Sequence, residues 1–193
     1  MSIEAIEIVT EDLPLKAKSV DSKSLAYVNY IINCCKNNGI RSALKRADNP
    51  ATEYQSWDVL AGFKINLEFE NQRIPYAAIG AAIARAKIEL NGTTKIGYAI
   101  ARCYDDGNAS DQAKSKLRRL LACDTVSETC RILRPLLALI DSRANSTVDY
   151  AALLNDLLWL SNEGKQTLIK ARWAQDFYGH NSAGTPGKGA KIE

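Results

Sequence analysis

The sequence predicts an all-α fold, a bundle of seven or eight helices with no sheet, from three observations. Apolar residues recur at three- and four-residue spacing through most of residues 22–179. Helix caps and breakers punctuate that pattern at short intervals. A single run, "KINLEFE" at 64–70, alternates as a strand does, and with no partner run it reads as an extended loop.

Residues 1–21 show no sustained period and carry five acids against two lysines, so they read as a mobile acidic arm ahead of a helical domain over 22–179. Ser22 is the expected N-cap of a first helix with Leu25, Val28, Ile31, Ile32 and Cys35 on one face, and Gly39 is its expected left-handed stop. A shorter helical piece fits "IRSALKRADNP" up to the break at Asn49-Pro50. Within 51–61, Tyr54, Trp57 and Leu60 fall on one side of a short helix. Pro75 suits a first helical position, after which Ile79, Ile83, Ala86 and Leu90 descend one face to a stop at Asn91-Gly92. The small residues of "YAAIGAAIARA" let a neighbouring helix approach closely.

A short helix over 95–104 stops at "DDGNAS". Ser110 or Asp111 can cap the next one, whose buried stripe is Leu117, Leu120 and Leu121. "TVSE" at 125–128 has the form of a capping box and opens a long helix through Ile132, Leu133, Leu136, Leu137 and Ile140, which Pro135 is expected to bend. Thr147 is the expected cap of a helix carrying Tyr150, Leu153, Leu154, Leu157, Leu158 and Trp159. A last helix, about 163–178, carries Leu168, Ile169, Trp173 and Phe177 and ends at Gly179. Residues 180–193, rich in Gly, Pro and Ser, read as a disordered tail.

Composition narrows the function classes. The chain has 193 residues, 46% hydrophobic and 24% charged, as an ordinary single globular domain does. Its N-terminus has acid where a signal peptide needs base, and no 18-residue apolar run occurs, so neither secretion nor a membrane partner is expected. Five cysteines without a C-x-x-C suggest neither a disulfide framework nor a zinc site, and a reducing cytoplasm fits. The sequons at Asn91, Asn108 and Asn145 then read as turns.

Catalytic chemistry is hard to assemble. The lone histidine, His180, lies in the tail, which leaves no triad and no imidazole ligand. "GTPGKGA" at 184–190 fails phosphate-loop spacing. Asp105-Asp106 reads as a solvated turn rather than a metal site. No catalytic residue, metal or cofactor is expected. Trp57, Trp159 and Trp173 fall on apolar faces and read as core, as do Cys34, Cys35, Cys103, Cys123 and Cys130 as small inert hydrophobes.

What remains is base. Between 112 and 134 stand Lys114, Lys116, Arg118, Arg119, Arg131 and Arg134 against only Asp124 and Glu128. At helical spacing Lys114 and Arg118 share a ridge, with Arg119 beside them and away from the leucines. Arg41, Lys45 and Arg46 repeat the arrangement. Phosphate oxygens suit such a set, because guanidinium binds them bidentately and ammonium adds a point charge, without reading base sequence. A solvated face whose charges pair with nearby carboxylates fits the sequence equally well.

Five blocks in order, "ALKRADNPATEYQSWDVLAGF", "NQRIPYAAIGAAIARAK", "KIGYAIARC", "KLRRLLACDTVSETCRILRPLLALI" and "YAALLNDLLWLSNEGKQTLIKARWAQDFYG", resemble the CasB family over about residues 24–179. That family is the small subunit of the subtype I-E Cascade complex of CRISPR interference. The resemblance implies an all-helical, non-enzymatic subunit packed as a pair against guide-holding backbone subunits and a large subunit. It also implies contact with guide RNA and target DNA, chiefly the displaced strand. It carries the nucleic-acid role onto Lys45, Arg46, Arg73, Lys114, Lys116 and Arg134; Arg41, Arg118, Arg119 and Arg131 are added by charge geometry. The competing readings are a helix-turn-helix transcriptional regulator and a purely structural spacer.

Overall fold

The computed structural model describes residues 22–144 and 146–179; the expected arm, the tail and His180 lie outside them. Among the described residues nine α-helices follow one another: α1 Ser22–Cys34, α2 Asn38–Leu44, α3 Trp57–Gly62, α4 Glu70–Ala86, α5 Ile96–Ala101, α6 Asp111–Leu121, α7 Val126–Arg143, α8 Tyr150–Trp159 and α9 Glu163–Tyr178. The 3-10 turns Glu53–Ser56 and Gly107–Ala109 complete the set. No strand forms among the described residues beyond an isolated parallel bridge between Thr94 and Val148, and the "KINLEFE" run is irregular, as expected, up to Glu70, where α4 begins.

Where side chains bond backbone locally, the expected boundaries hold. The Ser110 hydroxyl accepts from the Ala113 N–H at 3.4 Å and starts α6. Thr125 Oγ1 accepts from the Glu128 N–H at 3.1 Å and starts α7, but Glu128 Oε2 accepts from the Asp124 N–H at 3.3 Å, one residue beyond the Thr125 N–H that a reciprocal box uses.

Elsewhere the boundaries move. Gly39 does not stop α1; it lies in α2, where its N–H donates to the Asn37 carboxamide oxygen at 2.8 Å. Helix α4 begins five residues before Pro75, on a Phe69 carbonyl that accepts from the N–H groups of Gln72 and Arg73. It ends at Ala86, because Lys87 takes a left-handed conformation (φ 54°), which leaves Leu90 78% exposed instead of on a buried face. Asp149, not Thr147, caps α8, its carboxylate accepting from the Ala152 N–H at 3.0 Å. Trp57 and Trp159 are also not core: they are 38% and 43% exposed, and only Trp173 is buried.

Helix α4 is the axis of the bundle. Its ten residues from Pro75 to Ala84 are all buried, and α1, α2, α3, α7 and α8 pack round it. A helix surrounded on all sides must be apolar all round and small enough to admit close neighbours, which "YAAIGAAIARA" supplies. At the far end α5 crosses α9 through Gly97, where an added Cβ would stand 2.1 Å from the Trp173 carbonyl oxygen and 2.7 Å from the Phe177 nitrogen. This single close approach couples the "IGYAIA" and "WAQDFY" segments physically.

Two carboxylates staple α8 to its neighbours, Asp156 to α9 and Asp149 to the loop before α5. Asp156 accepts from Arg172 at 2.7 Å and from the Trp173 indole N–H at 2.8 Å, and burial raises its pKa despite that guanidinium. Asp149 accepts from Asn91 at 2.9 Å and Lys95 at 3.0 Å. Burial pushes its carboxyl up, but the bonds from Ala152, Asn91 and Lys95 outweigh this and hold it below the usual carboxylate value. Among the described residues no helix is long and apolar enough to cross a membrane.

Candidate nucleic-acid interface

Helix α7 organises the cations. At 3.6 residues per turn, Ser127, Arg131, Arg134 and Ala138 run down its exposed ridge. Grooves flank that ridge on both sides.

Between α7, α4 and the loop after α2 lies a groove of about 500 Å³, whose lining includes Asp48, Glu53, Glu70, Arg73, Arg131 and Arg134 over a floor that contains Cys130. Its cations are engaged. Arg73 donates to the Leu67 carbonyl at 2.6 Å and stands 3.5 Å from both Glu53 and Glu70, with a side chain only 16% exposed. Arg134 Nε lies 3.6 Å from Asp48, which Arg85 also grips through two bonds, at 3.0 and 2.6 Å. Arg131 sits 4.0 Å from Glu128 but stays largely exposed. Burial, helped by the Asp48 charge, pushes the Cys130 thiol up to about 12, so it is neutral at physiological pH.

Between α7 and α6 lies a second groove, about 220 Å³, lined by Lys116, Arg119, Ile132, Pro135, Leu136 and Leu139. It contains no carboxylate. Ala113, Leu117 and Leu120 bury one face of α6, which splits its cations between two flanks. Lys116 and Arg119 turn toward α7. On the other flank Lys114 folds back, donating to the Ala109 carbonyl at 2.8 Å and standing 3.5 Å from Asp111, while Arg118 is exposed. Arg118 and Arg119 occupy the last turn of α6, where the helix dipole favours positive charge.

At the C-terminal end of α2, Arg41 donates to Asn38 at 2.9 Å and Arg46 to Gln55 at 3.1 Å, both neutral amides. Of the ten sequence-derived cations, Arg41, Lys45, Arg46, Lys116, Arg118 and Arg119 therefore have no carboxylate within 4.0 Å among the described residues, whereas Arg73, Lys114, Arg131 and Arg134 do. Sequence reasoning missed the acceptors Asp48 and Glu53, which lie 37 residues from Arg85 and 20 from Arg73. No local pattern announces such pairs. Among the described residues no group of three His, Cys, Asp or Glu side chains could hold a metal.

Compared with known proteins, residues 40–178 match the family model of CRISPR-associated protein Cse2. No curated protein matches the chain. The fold is similar to that of a Cse2-family CRISPR-associated protein from Thermus thermophilus, with TM-score 0.66 and 19% identity over 81% of this chain and 98% of that one. It is similar to M. ruber CasB, with TM-score 0.64 and 23% identity over 81% and 93%. It also resembles a chain of a CRISPR RNA-guided surveillance complex, with TM-score 0.61 and 21% identity over 81% and 91%.

Proposed function

The chain belongs to the CRISPR-associated Cse2 family, and we propose that it is a non-catalytic, nucleic-acid-binding subunit of an RNA-guided surveillance complex of the Cascade kind. In this reading it packs beside the guide-holding backbone subunits, the large subunit and a second copy of itself. It stabilises the R-loop through backbone contacts to target DNA, chiefly the displaced strand.

The observation that carries the reading is the set of six cations without carboxylate partners, distributed over the α2 end and α6. Exchanging a DNA duplex for a guide–target hybrid is nearly balanced in base-pair energy, so modest contacts to the freed strand can tip it. Spaced cations on rigid helices can supply those contacts, since each neutralised phosphate releases counterions and binding is indifferent to sequence. Lys116, Arg119 and Arg46 carry the phosphate role, and Arg41, Lys45 and Arg118 extend it. Arg131 and Arg134 contribute from the rim of the α4–α7 groove, and Lys114 from the other flank of α6. Arg73 contributes mainly by positioning, through its grip on Glu53 and Leu67.

The test is co-expression with the genomic neighbours. Particles containing guide RNA should retain the chain, and the triple variant Arg46→Glu, Lys116→Glu, Arg119→Glu should assemble but lose target DNA with a flattened salt dependence. Unchanged retention by the assembled variant overturns the assignment. DNA loss that follows only from dissociation of the variant would instead mark a structural spacer, and sequence-selective binding by the chain alone a transcriptional regulator.

A further inference from the structure

Most large aromatic side chains here have a settled environment. Tyr27 and Tyr76 are buried edge-to-face against one another, and Trp173 is buried with its N–H on Asp156. Trp159 is half exposed, but Lys165 Nζ stands 3.0 Å over its ring.

Tyr54 and Trp57 differ. They are 60% and 38% exposed, and neither ring stacks on another ring or under a cation among the described residues. The Glu53–Ser56 turn runs directly into α3, and in 3-10 geometry side chains three residues apart eclipse. Tyr54 and Trp57 therefore share one face, while Ser56 is buried and Glu53 points to Arg73.

The exposed Arg46 is held to the same turn by its 3.1 Å bond to Gln55, the residue after Tyr54. That bond ends on a neutral amide, so the guanidinium charge remains available. The adjoining acid, Asp58, accepts from the Val59 N–H at 2.8 Å.

We propose that this edge, Tyr54 and Trp57 with Arg46, is a stacking site for unpaired nucleobases of a single strand, with Arg46 taking the adjoining phosphate. It rests on the proposed function for its polynucleotide partner and adds a base-contacting element to the phosphate contacts. Ring faces bind any base, because every base has a π-face, so the site preserves sequence indifference while gaining affinity that salt does not screen. A helix-binding protein groove would need continuous aliphatic surface, whereas the pair is bordered by Gln55, Asp58 and Arg46.

The full chain can be titrated at low salt with a twelve-residue oligothymidylate and with an abasic oligomer of equal length and charge, reading anisotropy and tryptophan emission. The oligothymidylate should bind at least about fivefold more tightly and quench emission. Tyr54→Leu with Trp57→Leu should bind both oligomers equally, and Trp57→Phe should keep most of the preference; thermal melts identify variants that fold. Equal binding of both oligomers by the unaltered chain overturns the stacking site and leaves the phosphate reading intact. Absence of binding to either rejects the two together. A folded leucine variant that keeps the base preference but fails to join its protein partners would make the edge a protein-docking surface.

Discussion

On one side of α7, Arg73, Arg131 and Arg134 share a groove with Asp48, Glu53 and Glu70; on the other, Lys116 and Arg119 face Ile132, Pro135 and Leu139 with no carboxylate at all. In sequence these cations are alike. In the fold, Arg73 and Arg134 have their charge partly neutralised by acids from α4 and the loop after α2, whereas the α6 pair keeps its full charge for solvent or a partner. Formal charge counted along the sequence thus overstates the charge that the folded surface leaves unpaired.

Removing charges singly should separate the flanks in urea unfolding. Asp48→Ala should have the largest effect, a loss of about 3 kcal/mol, because it strands Arg85 against a nearly buried site. Arg73→Gln should cost about 2 kcal/mol, through the Leu67 carbonyl it leaves unsatisfied. Arg134→Ala, half exposed and 3.6 Å from Asp48, should cost under about 1 kcal/mol. The double variant Lys116→Gln, Arg119→Gln should stay within about 0.5 kcal/mol of the unaltered chain. A double variant as destabilised as Arg73→Gln would erase the contrast.

The groove floor gives a pH test whose effect is nil near neutrality. Cys130 is raised in the fold from an ordinary 9.0 to about 12. A raised value means the folded state holds its proton longer, so this contribution is complete below about pH 9 and declines as pH rises toward 12. Unfolding measured across that window should show stability falling, with a shallower slope in Cys130→Ala.

Much of this fold was legible because helix periodicity and caps act within a few residues. Ser110 and Thr125 start their helices through bonds to N–H groups three residues on. Asp149, immediately before an apolar run, carries the same kind of signal, and the expectation of a Thr147 cap misses it. What local pattern does not hold is how far a neighbour reaches. Trp57 and Trp159 lie on apolar faces, yet the packing around them stops short and leaves them exposed. Likewise, the cations were legible but their acids were not, since Asp48 meets Arg85 and Arg134 only after α4 and α7 have packed.

The most direct measurement compares salt slopes of target-DNA retention by assembled complexes carrying either Lys116→Gln with Arg119→Gln or Arg73→Gln. The account predicts that the α6 double variant lowers the slope by about 1.4, roughly 0.7 for each lost contact to a single strand, while Arg73→Gln leaves it unchanged. A slope that falls with Arg73→Gln and holds in the α6 variant would contradict it.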